Sequence, residues 1–128
     1  RLVFRHFPLP FHQNAQKAAE AAMCAHERGK FWEIHDRFFA AQEALAVEDL
    51  KRAGRELGLD GASFDSCLDS GKYAALVAAD MRAGEQAGVT GTPAFFVNGR
   101  PISGAQPFEM FKEVIDSELK RAGIARPD

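Results

Sequence analysis

The sequence is short of cysteine, of charge of one sign and of long apolar runs. Its two cysteines, Cys24 and Cys67, lie far apart and form no C-x-x-C pattern. Sixteen Lys and Arg residues against eighteen Asp and Glu residues give a net charge of −2, which argues against a nucleic-acid-binding protein and against a polybasic membrane patch. No apolar run approaches the roughly 18–20 residues of a membrane span. These absences leave an ordinary globular domain as the expected class.

Phenylalanine is the abundant residue, with eleven copies in 128 positions. Apolar residues make up 46% of the chain and charged residues 27%, a composition typical of a folded domain. A chain of this length can bury a core without a disulfide or a metal ion. The sequence starts Arg1-Leu2-Val3-Phe4, without an initiator methionine or a signal-peptide pattern. We therefore expect a processed chain or an excised piece of a longer one.

The spacing of apolar and turn-forming residues predicts one strand, five helices, a β-hairpin and a last helix. The first helix has an alanine-rich face, and the Phe-rich second helix is expected to pack against it. Asn98-Gly99 is typical of a type I′ turn, in which both central residues have positive φ. The predicted elements are a strand at 2–7, helices at about 14–28, 30–42, 47–57, 62–70 and 72–86, strands at 94–97 and 100–103, and a helix at about 106–123.

This order of elements, with Gly91-Thr92-Pro93-Ala94-Phe95-Phe96-Val97-Asn98-Gly99 at its junction, resembles the thioredoxin-fold thiol–disulfide oxidoreductases of the DsbA type. The resemblance is collinear over almost the whole chain. It is also carried by the stretches Val3–Leu9, Ala21–Ala25, Phe31-Trp32, Leu68–Tyr73 and Gly88–Pro93. It implies an α/β, thioredoxin-like fold with an inserted helical domain, truncated at the N-terminus. Residues 1–128 would be a single incomplete domain, with the helical insertion and the following helix at 13–87 and the cis-Pro loop, hairpin and final helix at 89–123.

The resemblance assigns substrate binding to the loop formed by Gly91, Thr92 and Pro93. In the family the corresponding X-Pro bond is cis, and the loop lies beside the reactive cysteines. The backbone of Thr92 would then hold an extended substrate peptide by strand addition. A trans bond in an ordinary turn remains the alternative, since only about 5–6% of X-Pro bonds are cis.

The family carries its reactive C-x-x-C on a helix that follows a first strand, and neither segment is in this sequence. No residue here is therefore predicted to be catalytic, and the chain is expected to be inactive by itself. The resemblance implies protein disulfide oxidation, reduction or isomerisation in the periplasm or another extracytoplasmic compartment. It implies no cofactor, and the partners would be protein or peptide thiols and disulfides and a redox partner protein. Two alternatives stay open: a redox-silent peptide-binding or protein-binding module, and an isomerase or glutathione-transferase relative that uses a serine in the missing segment.

The two cysteines are interpreted as small buried hydrophobic residues. Cys24 and Cys67 both fall inside predicted helices, not at a helix N-terminus where the helix dipole would stabilise a thiolate. A disulfide between their helices remains an alternative, because the resemblance implies an oxidising compartment and the sequence does not give the Cα–Cα distance. No metal site is predicted, because no metal-ligand spacing is found among the four histidines, which are His6, His12, His26 and His35.

The resemblance has one further structural consequence. The first strand of the family would lie between the strands at 2–7 and 94–97, which do not normally pair with each other. Without that strand we expect residues 2–7 to pair elsewhere, or a second chain to cover the gap by strand swapping or edge pairing in a homodimer.

Overall fold

The structure, a computed structural model, describes residues 1–125 and divides into two compact units. The first unit spans Arg1–Gln86, and the second begins at Ala87. The first unit contains five helices: α1 (Ala15–His26), α2 (Phe31–Ala40), α3 (Val47–Glu56), α4 (Gly61–Asp69) and α5 (Ala74–Gln86). The second contains β1 (Ala94–Val97), β2 (Arg100–Ser103) and α6 (Phe108–Arg121).

The core of the first unit is built on the alanine-rich face of α1, as the sequence predicts. Ala21 and Ala25 are fully buried, and the buried Ile34 and Phe38 of α2 belong to the same apolar cluster. Small side chains on α1 allow neighbouring helices to approach its backbone closely, and the larger residues fill the remaining space. The cluster is completed by buried residues of α1, α3 and α4, which are Ala22, Cys24, Leu50, Ala53, Phe64 and Leu68.

The hairpin of the second unit forms at the residues that predict it. β1 and β2 pair antiparallel, and Val97 faces Arg100 across the turn. Asn98 and Gly99 both have positive φ, of 49° and 82°, which is the requirement of the predicted turn. α6 begins at Phe108, with Pro107 at its N-cap.

The prediction of a strand at residues 2–7 is wrong. These residues form no strand, and the sheet of residues 1–125 has two strands, β1 and β2. A strand is defined by backbone pairing, and residues 2–7 find no backbone partner within the described chain. Their position is fixed instead by Asp80 of α5, which accepts hydrogen bonds from the His6 backbone N–H at 3.0 Å and from the Arg5 guanidinium at 2.8 Å.

Candidate functional site

The loop predicted to bind substrate leads directly into β1. Thr92 and Pro93 are exposed and Gly91 is half-buried. The Thr92–Pro93 peptide bond is cis. The carbonyl of Pro93 accepts a hydrogen bond of 2.9 Å from the backbone N–H of Gly104, the residue that follows β2. The three loop residues are therefore anchored at one end to the hairpin.

The register of the hairpin determines which backbone groups of β1 bond to β2. Bonded and non-bonded residue pairs alternate along an antiparallel ladder. The bond from Gly104 to Pro93 makes the next bonded pair Phe95 with Ile102, and the pairs formed by Ala94 and Phe96 are non-bonded. The backbone N–H and C=O groups of Ala94 and Phe96 therefore point away from β2 and have no hydrogen-bond partner within residues 1–125.

One face of the hairpin packs against α6. Phe95 packs edge-on against Phe111, with ring centroids 4.8 Å apart, and Ile102 beside it is buried.

The carboxylate of Glu118, a residue of α6 that is 4% exposed, lies beside the hairpin turn. It accepts hydrogen bonds from Asn98 and Arg100 at 3.4 Å each and pairs with Arg121 at 2.8 Å. Because these contacts join both ends of the turn to α6, they hold the hairpin that carries the loop.

The interpretation of Cys24 and Cys67 as two unlinked hydrophobic residues is wrong, and the alternative of a disulfide is the one the structure has. The bond joins α1 to α4, with a Cα–Cα distance of 6.0 Å. Cys24 is 4% exposed and Cys67 is half-buried. Neither sulfur lies at a helix N-terminus, so neither has the positive field that stabilises a reactive thiolate. Sequence spacing could not distinguish the two outcomes, because pairing depends on the packing of two helices.

The contact between Asp80 and residues Arg5 and His6 was not predicted. His6 is 6% exposed and its ring packs against Phe4, with centroids 5.4 Å apart. Burial lowers the pKa of His6, and the nearby Asp80 carboxylate opposes the shift without cancelling it. The imidazole is therefore kept neutral in an aromatic environment.

A second polar cluster joins the end of α1 to the turn before α5. The hydroxyl of Tyr73 donates to the Glu27 carboxylate at 2.6 Å, and Lys72 pairs with the same carboxylate at 2.5 Å. The hydrogen bonds from Lys72 and Tyr73 lower the pKa of Glu27. The bond to Glu27 raises the pKa of Tyr73 to about 12. Tyr73 therefore stays a hydrogen-bond donor at neutral pH, and the cluster has a structural role.

No helix in residues 1–125 combines the length and the apolar character that crossing a bilayer requires.

Comparison with a solved structure and with a family model identifies the fold and the protein family. The crystal structure of a thioredoxin-like oxidoreductase from Silicibacter pomeroyi superposes with a TM-score of 0.74 at 25% identity, covering 93% of this chain and 68% of that one. The fold is accordingly α/β and thioredoxin-like, with a helical part and a small two-stranded sheet. The family described as "DSBA-like thioredoxin domain" matches residues 2–116. The chain belongs to this family, as the resemblance in its sequence predicted.

The curated relatives are much longer proteins. The chain is 41% identical over 129 residues to a protein of Salinispora tropica named Na(+)/H(+) antiporter NhaA 3, covering all of this chain and 20% of that protein. It is 36% identical over 120 residues to the Na(+)/H(+) antiporter NhaA of Herminiimonas arsenicoxydans, covering 94% of this chain and 19% of that protein. The chain thus spans about a fifth of the length of these relatives.

Proposed function

We propose that this chain is the polypeptide-binding part of a DsbA-like thiol–disulfide oxidoreductase, and that Gly91, Thr92 and Pro93 bind the substrate. The observation that carries the proposal is the exposed loop that leads directly into β1, in a member of a family of thioredoxin-like oxidoreductases. An extended substrate segment would lie against Thr92 and make backbone hydrogen bonds there. Side chains would contribute little to these bonds, so the loop would accept many sequences.

The electron-transferring thiol would come from polypeptide outside these 128 residues. In the exchange, a thiolate of a C-x-x-C attacks one sulfur of a substrate disulfide, forms a mixed disulfide and releases the second substrate sulfur as a thiolate. The second motif cysteine then attacks the sulfur of the first and displaces the remaining substrate sulfur as a thiolate. The motif becomes a disulfide, and the substrate gains two electrons and, on protonation of its thiolates, two protons. The reverse sequence oxidises a substrate dithiol. The two cysteines of this chain are joined to each other and take no part in these steps.

The length of the relatives supports a role within a larger protein. We take the domain to be the thiol–disulfide exchange module of a longer polypeptide that resembles the antiporters named above. Its location would be extracytoplasmic, in keeping with the family and with a disulfide that persists in an oxidising compartment. Acid-quenched cells treated with a maleimide–polyethylene glycol reagent test the location. An unshifted chain means an intact disulfide, and a chain shifted by two reagents contradicts an oxidising compartment.

The binding loop is tested with an unfolded protein that has no free thiol, S-carbamidomethylated α-lactalbumin, in a fluorescence-anisotropy titration. Thr92→Arg should weaken binding by about tenfold, equivalent to about 1.4 kcal/mol, because the long side chain obstructs the backbone of the loop. Thr90→Arg is the matched control, since Thr90 is also exposed and lies two positions earlier. If both variants bind like the wild type, the assignment of the loop is wrong.

A redox-silent binding module is the second candidate, favoured by the absence of a free cysteine in residues 1–125. Two observations separate the candidates. The coding region upstream should contain an in-frame C-x-x-C within a few tens of codons if the domain is an oxidoreductase, and should lack one if it is redox-silent. The 128-residue protein should not accelerate insulin reduction by dithiothreitol, and activity that survives Cys24→Ser with Cys67→Ser would reveal a chemistry that neither candidate contains.

A further inference from the structure

The turn between β1 and β2 exposes the atoms of a self-modification reaction. Its two central residues, Asn98 and Gly99, are both exposed to solvent. Within residues 1–125 the backbone N–H of Gly99 has no hydrogen-bond partner. Apart from its chain neighbours, no atom lies within 4 Å of the place that a Cβ would occupy on Gly99. The Gly99 nitrogen is therefore neither bonded nor crowded, and it follows an asparagine whose side-chain amide it can attack.

The other asparagine of the sequence, Asn14, provides a comparison within the same chain. Asn14 is also exposed, but the backbone N–H of the next residue, Ala15, donates to the carbonyl of His12 at 3.0 Å. Ala15 has a Cβ, which crowds the approach of its nitrogen, and it is the first residue of α1. Exposure alone therefore does not distinguish the two asparagines, whereas the state of the following nitrogen does.

We propose that Asn98 is a deamidation site of the folded protein. The Gly99 nitrogen attacks Cγ of Asn98, a bond between these atoms forms, the bond from Cγ to Nδ2 breaks, and the amide leaves as ammonia with the Gly99 proton. Water then opens the resulting succinimide at either of its carbonyl carbons. The products are aspartate at position 98, or isoaspartate, in which the main chain runs through the former side chain. The net reaction consumes water and releases ammonia, with no oxidation or reduction.

The modification acts on the contacts that hold the turn on α6. Asn98 donates from Nδ2 to Glu118, a buried residue whose carboxylate also pairs with Arg100 and Arg121. Aspartate at position 98 replaces this donor with a second carboxylate, which is repelled by Glu118 and competes with it for the two arginines. Isoaspartate adds a methylene group to the main chain of a two-residue turn, and turn length sets the register of a hairpin. Both products therefore loosen the turn.

The same contacts control the rate of the reaction. Ring closure requires rotation about the Cα–C bond of Asn98, which the folded turn restrains. The restraint comes from the pairing of Val97 with Arg100 on either side of the turn and from the contact of Asn98 with Glu118. Deamidation should therefore follow local opening of the turn, and weaker anchoring by Glu118 should accelerate it.

Peptide mass spectrometry of the folded 128-residue protein tests the site, after incubation in neutral buffer made with heavy-oxygen water to mark conversion that precedes digestion. Conversion at Asn98 should be at least about tenfold faster than at Asn14, a difference of about 1.4 kcal/mol in activation free energy. Glu118→Gln should accelerate conversion at Asn98, whereas Glu113→Gln, at an exposed position of the same helix, should not. Equal rates at the two asparagines, an Asn98 that converts only in urea, or equal rates in the two glutamine variants would overturn the proposal.

Two substitutions at position 98 test the effect on the turn. Asn98→Asp reproduces one product, and Asn98→Gly is the matched control, because glycine accepts the positive φ of this position and adds no charge. Amide hydrogen exchange at Arg100 should be about tenfold faster in Asn98→Asp than in Asn98→Gly, equivalent to about 1.4 kcal/mol. The difference should shrink in a Glu118→Gln background, where the repelling carboxylate is gone. Equal exchange in the two variants would overturn the release of the turn.

Discussion

The Cys24–Cys67 disulfide should supply a large part of the stability of the first unit. The linked residues lie 43 positions apart, so the bond closes a loop that contains α2, α3 and most of α4. For a loop of this length, the restriction of the unfolded chain is worth about 4 kcal/mol. Removal of the bond should therefore raise the unfolding equilibrium constant by roughly a thousandfold, since about 1.4 kcal/mol corresponds to a factor of ten.

Urea denaturation followed by helical circular dichroism measures this effect. Reduction of the wild type with a phosphine removes the cross-link and keeps every side-chain atom, so it isolates the contribution of the loop. With an m-value of about 2 kcal/mol/M, the midpoint should fall by about 2 M urea. The slope should increase as well, because an unlinked unfolded chain exposes more surface.

A double variant, Cys24→Ala with Cys67→Ala, separates loss of the bond from effects of the reductant. It should be at least as unstable as the reduced wild type, because truncation of the buried Cys24 also removes packing. It should not respond to the phosphine. A change below about 1 kcal/mol on reduction, with an unaltered slope, would refute the reasoning, since loop closure alone predicts about four times that value.

Three further predictions concern buried groups. The free energy of unfolding should fall as pH decreases below 6.5, the ordinary pKa of histidine. Burial lowers the pKa of His6, so the unfolded chain takes up the proton before the folded chain does. Denaturation curves measured across that pH range should show a weaker dependence for His6→Phe. Glu118→Gln should speed amide exchange in the hairpin turn, because it removes the charge that Asn98 and Arg100 contact, whereas Gln at the exposed Glu113 should not. Gly54→Ala should lower the melting temperature, because the added Cβ would lie 2.8 Å from the Phe64 ring. This is expected although alanine favours a helix more than glycine does. In a Phe64→Leu background the same substitution should lower the melting temperature less.

The helices and the hairpin could be predicted because their signals are local. Apolar residues spaced three and four apart, as at Phe31, Ile34 and Phe38, define a helix face before any partner is known. Asn98-Gly99 fixes its turn through its own backbone preferences. The candidate loop was found through resemblance, since Gly91-Thr92-Pro93 by itself is compatible with an ordinary turn.

The features that were missed depend on residues distant in the chain. A strand at residues 2–7 is plausible from composition, but it requires a neighbouring strand, and none pairs with it within residues 1–125. His6 and Asp80 are 74 positions apart in the sequence. No local sequence pattern indicates a contact between residues so far apart. The disulfide is missed for the same reason, because two cysteines on helix faces become partners only when α1 and α4 pack together.

The three buried carboxylates of the described chain fix neighbouring segments through side-chain contacts. Asp80 fixes the extended residues at Arg5 and His6, and Glu118 fixes the hairpin turn. Glu20, 2% exposed, orients Lys17, whose ammonium group also donates to the carbonyl of Leu68 near the end of α4. A buried ion pair adds little net stability compared with an apolar replacement, because desolvation offsets the attraction, but removal of one partner leaves a costly unpaired group. These carboxylates therefore act on the position of each segment more than on the total stability. Each is paired in the observed arrangement and would be left buried and unpaired in another.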